Sequence, residues 1–94
     1  MNKPGGRIAY KFHARDVNLV MGPERRGATI RFRVLLEGQP PSANHGADVD
    51  SNGYGVVGRQ DTYQLVRQTK PIADRLVEIE FFDSGVEAFD FTFG

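Results

Sequence analysis

Apolar side chains recur at every second position along most of this chain, the period of a β-strand with one face buried and the other wet. Ile8, Tyr10 and Phe12 alternate with Arg7, Ala9, Lys11 and His13 over a first strand, 7–14. Val17, Leu19 and Met21 share one side of a second, 16–21, which Gly22-Pro23-Glu24-Arg25-Arg26-Gly27 closes as a turn or loop. The longest alternation predicts a central strand over 28–37, with Ile30, Phe32, Val34 and Leu36 on one face and Thr29, Arg31, Arg33 and Leu35 on the other. Adjacent prolines in Gly38-Gln39-Pro40-Pro41-Ser42-Ala43-Asn44 forbid a helix and a central strand alike, so a surface loop is expected there. Asn52-Gly53 between the β-prone pieces 47–50 and 54–57 predicts a hairpin, because type I′ turns need two positive φ values. Thr62 to Arg67 is a further short strand, with Gln68-Thr69-Lys70-Pro71 as its exit.

The last twenty residues or so, 74–94, are the richest in apolar side chains. Val77, Ile79 and Phe81 alternate with Glu78 and Glu80, and Phe89, Phe91 and Phe93 with Asp90 and Thr92. Asp83-Ser84-Gly85 between them supplies residues that turn cheaply, so a terminal hairpin is expected whose inner face carries those six apolar residues. Each contributes about 1.5–3 kcal/mol when fully buried. Short strands at this spacing, with no helical period, predict an all-β fold of about eight short strands, an antiparallel β-sandwich or jelly roll.

With 94 residues the chain makes one domain, 7–94, and 1–6 reads as a linker or fragment edge. Twelve basic and twelve acidic residues cancel, which leaves no field to gather phosphates and argues against nucleic acid as a partner. The absence of cysteine excludes disulfides, thiolate catalysis and Cys-ligated zinc. Met1 to Gly6 contains no apolar run, so neither a signal peptide nor direct membrane insertion is expected from it. On the outer faces, Arg31 and Arg33 would meet Glu78 and Glu80 if their strands pair, a matter of register and solubility more than of binding.

Several constellations carry possible chemistry. Asp48-x-Asp50-x-Asn52-Gly53 matches the opening of a calcium loop, but its twelfth position is Arg59 where a bidentate Glu belongs. The preferred reading is a structural hairpin whose carboxylates make Asx-type turn bonds, with Ca²⁺ on Asp48, Asp50 and Asn52 as the alternative and no metal otherwise. His13 and His45 are expected in surface or capping roles, and Ser42, Ser51 and Ser84 as turn formers. Asp48, Asp50 and Asp61 lie in polar loops unsuited to acid/base work, so no catalytic residue is nominated and no cofactor is called for. Sugar binding asks instead for an exposed aromatic face flanked by planar polar groups. Tyr54, Tyr63 and Tyr10 are the aromatic candidates, with Gln64, Arg59, Arg67 and Asn52 as polar neighbours. Tyr54 is a platform or a plain turn residue; for Tyr63 and Tyr10, core packing with a satisfied hydroxyl is preferred.

Four stretches carry a family likeness: Tyr10-Lys11-Phe12-His13-Ala14-Arg15-Asp16-Val17-Asn18-Leu19-Val20-Met21-Gly22, His45-Gly46-Ala47-Asp48-Val49-Asp50, Tyr63-Gln64-Leu65-Val66-Arg67-Gln68, and the closing Glu78-Ile79-Glu80-Phe81 to Gly85-Val86-Glu87-Ala88-Phe89-Asp90-Phe91-Thr92-Phe93-Gly94. In this order they resemble the C-terminal domain that follows the thioredoxin-like domain in DipZ-type thiol:disulfide interchange and cytochrome c biogenesis proteins, and in related soluble redoxin proteins. The resemblance implies a jelly-roll sandwich akin to carbohydrate-binding modules, appended to a redox domain that holds the reactive cysteines. It places the chain outside the cytoplasm if the parent is DipZ-type, and inside if it is a soluble redoxin. Two functions follow as expectations: a non-catalytic accessory module that binds a carbohydrate or a glycosylated or peptide substrate, or a structural domain that docks on its redox domain or self-associates. An enzyme in its own right ranks third.

Overall fold

The computed structural model describes residues 6–69 and 73–94. Among these the alternating segments form seven strands: β1 (Gly6–Phe12), β2 (Asp16–Pro23), β3 (Ile30–Leu36), β4 (Tyr54–Val57), β5 (Asp61–Arg67), β6 (Arg75–Phe81) and β7 (Val86–Phe93). They pair into an antiparallel four-stranded sheet, β1-β6-β3-β4, and a three-stranded sheet, β5-β2-β7, packed as a jelly-roll-type β-sandwich. The core between the sheets holds the faces that the period-two pattern marked: Val17, Leu19 and Met21 from β2, Ile30, Phe32 and Val34 from β3, and Val77, Ile79 and Phe81 from β6. β3 is internal to its sheet, as its length suggested.

Several sequence expectations fail. The terminal hairpin does not exist: β6 lies between β1 and β3, whereas β7 crosses to the other sheet and pairs with β2. Two strands with one apolar face each bury more surface when those faces oppose than when the strands lie side by side. Phe91 is consequently only partly buried and Phe93 is exposed, while Phe89's side chain lies outside the described ones. Residues 47–50 form turn and bend instead of a strand, so Asn52-Gly53 does not close the expected hairpin. The proline-rich loop ends in one 3₁₀ turn, Ser42–Asn44. Gly6 already pairs with Phe81, which moves it out of the expected linker; the rest of that linker, and the exit residues Lys70 and Pro71, lie outside the described residues.

The segment after the 3₁₀ turn covers the free edge of β5. Gly46 N donates to Leu65 O (3.0 Å), Asp48 N to Gln64 O (3.1 Å), and Gln64 N to Asp48 Oδ2 (2.7 Å). Only glycine fits at 46, because a Cβ there would stand 2.3 Å from Gln64 O. Among the described residues no comparable ladder closes the opposite side, where β1 and β7 are the outermost strands of their sheets.

The surface charges pair differently from expectation. β3 and β6 are neighbours with Arg33 opposite Glu80, but it is Arg7 of β1 that reaches Glu78 (3.3 Å) and Glu80 (3.1 Å). Arg31 grips Asp83 through Nε and Nη2, both at 2.9 Å, while its backbone N–H donates to the same carboxylate. The Arg31 side-chain hydrogen bonds, followed by the backbone one, lower the Asp83 pKa from 3.8 to about 2. A carboxylate depressed in the folded state stabilises above its unfolded pKa and loses that contribution as pH falls through the folded one. The melting-temperature gap between the parent and Asp83→Asn is therefore expected to narrow between pH 5 and pH 2, approximate bounds set on either side of this shift. A gap independent of pH would refute the clamp.

Candidate functional site

The six residues nominated for ligand binding do not converge. Tyr63 is buried in the core; its hydroxyl donates to Arg59 O (2.7 Å) and accepts from the Gly58 and Arg59 N–H groups, so it offers no platform. Arg59 pairs with Asp61 at 3.3 Å on the surface. Asn52 sits in the turn that Asp50 organises, where Asp50 Oδ1 accepts from the backbone N–H of both Asn52 and Tyr54 at 2.9 Å. With Asp48 Oδ2 taken by Gln64 N, both carboxylates of the would-be calcium loop serve backbone donors. Tyr54 is on the outer face of the four-stranded sheet, and Gln64 on the outer face of the three-stranded one, so the two look in opposite directions. Gln64 and Arg67 share a polar depression of about 270 Å³ with Arg15, Asp16, Asn18 and Thr62.

His13 lies 2.6 Å from Asp74 on the surface, and His45 Nδ1 is 2.9 Å from Gly46 O. Tyr54 itself carries the Arg33 guanidinium 4.9 Å from its ring centroid and stacks near Phe82 (6.2 Å). With Val56 these residues make an apolar patch, Tyr54 47 %, Val56 53 % and Phe82 37 % exposed.

The second aromatic surface was nominated only through Tyr10, and there as a core residue. Tyr10 faces the interior side of β1, yet 45 % of it is exposed because β1 is an edge strand. Its ring lies 5.0 Å from Phe91 and 5.5 Å from Phe93, with interplanar angles of 30° and 25°. Phe93, 42 % exposed, also stacks on Phe12 at 6.4 Å and 15°. Near-parallel rings thus floor a groove of about 320 Å³ where the two sheets part, lined also by Ile8, Leu19, Ala88 and Asp90, and continued by Lys11 and His13. The signal for it was present in the two edge positions, but alternation reports a side chain's face, not whether the sandwich is closed above it.

A sequence model described as "Thioredoxin like C-terminal domain" matches residues 1–94. The chain belongs to that family. No curated protein matches this family member. Among solved structures the family's chain is similar to a family two carbohydrate esterase from Clostridium thermocellum in complex with cellohexaose, with 17% identity and a TM-score of 0.60 over 99% of this chain and 26% of that one. It is also similar to a family two carbohydrate esterase from Cellvibrio japonicus, with 12% identity and a TM-score of 0.65 over 96% of this chain and 24% of that one. The thioredoxin-like C-terminal domain thus spans about a quarter of either esterase, and at these identities the likeness concerns the fold.

Proposed function

We propose that the chain is a non-catalytic accessory module of a thioredoxin-like thiol:disulfide oxidoreductase, of the DipZ type or a soluble redoxin, and that it binds carbohydrate or the glycosylated part of a substrate. The observation that carries this is the groove at the open side of the sandwich. Exposed, near-parallel Tyr10 and Phe93 rings offer apolar surface to pyranose C–H groups, and Asp90, Lys11 and His13 stand at its rim to meet hydroxyls. The fold shared with an esterase solved with cellohexaose supports the reading, though it does not locate a ligand on this chain. Recruitment of glycosylated substrate beside a redox centre is what such a module would add.

Titration calorimetry with neutral cello-, manno- and xylo-oligosaccharides tests this. Tyr10→Ala and Phe93→Ala should each weaken binding about tenfold, the equivalent of roughly 1.4 kcal/mol of lost stacking, with thermal melting showing that the fold persists. Binding by none of the three series rejects the reading. A second reading, docking on the redox domain or on another copy, is favoured by the Tyr54–Val56–Phe82 patch, since Tyr, Phe and a stacked Arg are the side chains that anchor protein interfaces.

A further inference from the structure

We infer that the aromatic groove is one end of a longer site, which continues over β7 onto the outer face of the three-stranded sheet and takes a linear, uncharged oligosaccharide of several units. This rests on the carbohydrate reading above. Because Val17, Leu19 and Met21 of β2 face the core, Asn18 and Val20 face outward. Register places Asn18 opposite Thr92 of β7 on one side and Gln64 of β5 on the other, so Thr92, Asn18 and Gln64 form a row across all three strands. Thr92 and Gln64 are exposed and Asn18 is half-buried.

What distinguishes this row is that its side chains are unspent. Among the described residues, most loop amides and carboxylates hold backbone groups: Asn44 takes Thr69 N, Asp48 takes Gln64 N, Asp50 takes two N–H groups and Asp83 takes Arg31. The side chains of Thr92, Asn18 and Gln64 make no hydrogen bond among the described residues. An amide both donates and accepts, the pattern that neighbouring sugar hydroxyls require. Strands lie about 4.8 Å apart, close to the advance of one hexose along an extended chain, so successive strands can serve successive sugar units.

The row joins the groove through β7. Asp90 lines the groove and stands opposite Val20 on the same outer face, and Thr92 follows it between Phe91 and Phe93. At the far end the row opens into the depression that holds Asp16, whose Oδ1 is buried without a hydrogen-bond partner, 3.8 Å from Arg67 Nε. Arg15 and Arg67 both flank Asp16 there; the row between this depression and the groove, Thr92, Asn18 and Gln64, carries no charge, which fits a neutral polymer.

The test measures affinity against chain length, with disaccharides and hexasaccharides of the cello, manno and xylo series, for the parent, Asn18→Ala and Gln64→Ala. For the series that binds, the parent should hold the hexasaccharide at least about tenfold more tightly than the disaccharide. Either substitution should cut that ratio about fivefold, with unchanged melting temperature for Gln64→Ala, which is exposed, as the folding control. Equal affinity for both lengths, or a ratio indifferent to both substitutions, overturns the extended site and leaves the groove as a short one. Failure of every saccharide to bind overturns the carbohydrate reading and this inference with it.

Discussion

Phe32→Ala is expected to lower folding stability by about 3–5 kcal/mol, read as a fall in the urea midpoint at unchanged slope. Phe32 is fully buried at the centre of β3, with strands hydrogen-bonded on both sides. Its ring meets Tyr63 edge-on at 6.5 Å and 82°, and lies 6.3 Å from Phe81. Those neighbours are held by their own ladders, so the walls of the cavity cannot fall inward to fill it. Domains of this size have total stabilities of order 5–15 kcal/mol, which makes this one side chain a large share of the whole. Phe32→Leu, which refills most of the space, should restore more than half of the loss. A change smaller than about 1 kcal/mol would show that the sheets can close over the gap and that the sandwich is less tightly joined than the register indicates.

Gly53→Ala is the second large effect, and it arises from the backbone. Gly53 has φ 93°, a conformation that side chains rarely adopt, and a Cβ there would stand 2.1 Å from Val34 O. The obstacle is a main-chain carbonyl of a central strand, and Gly53 O in turn accepts from Val34 N at 2.7 Å. Neither partner can yield without opening that hydrogen bond. We expect a loss of about 2–4 kcal/mol, together with faster hydrogen exchange at the amides of Val34 and Tyr54. Exchange that stays slow at both amides would mean the loop accommodates the methyl group in place.

How much was legible in the chain itself differs from element to element. β2 and β3 were read to within two residues at each end, with Gly22 and Pro23 belonging to β2 and not to the expected turn, because each has one face wholly buried and period two then has a single solution. The partner of a strand is a different matter. β6 and β7 both alternate, and the glycine between them reverses the chain, but whether the reversal ends beside the first strand or across the core depends on which surface remains uncovered. That is set by β1, β2 and β3, more than forty residues earlier. The candidate site suffered from the same limit. Tyr10 was singled out as an aromatic candidate for meeting a sugar, then assigned to the core because it shares a face with Ile8 and Phe12. Gln64 was named without its companions, since nothing in the sequence brings Asn18 and Thr92 to its side. Tyr63, by contrast, behaves as its preferred reading had it, buried with its hydroxyl bound to Arg59 O.

The order of strands within the sheets also sets a timetable. β1 has its ladder with β6, and β2 has its ladders with β5 and β7, so the first two strands to be synthesised have no partner until the last third of the chain exists. Every ladder closes a long loop, and even β3 and β4, the one pair consecutive in sequence among the described strands, are separated by the whole 37–53 segment. Such non-local pairing costs loop entropy before it yields contacts, and it belongs to topologies that fold in milliseconds to seconds, not microseconds. Until then Val17, Leu19, Met21 and Phe32 wait uncovered. Charges that alternate with the apolar positions, Arg7 and Lys11 in β1, Arg31 and Arg33 in β3, and Glu78 and Glu80 in β6, favour solubility over that interval, so the polar half of these strands serves the route to the fold as the apolar half serves its stability.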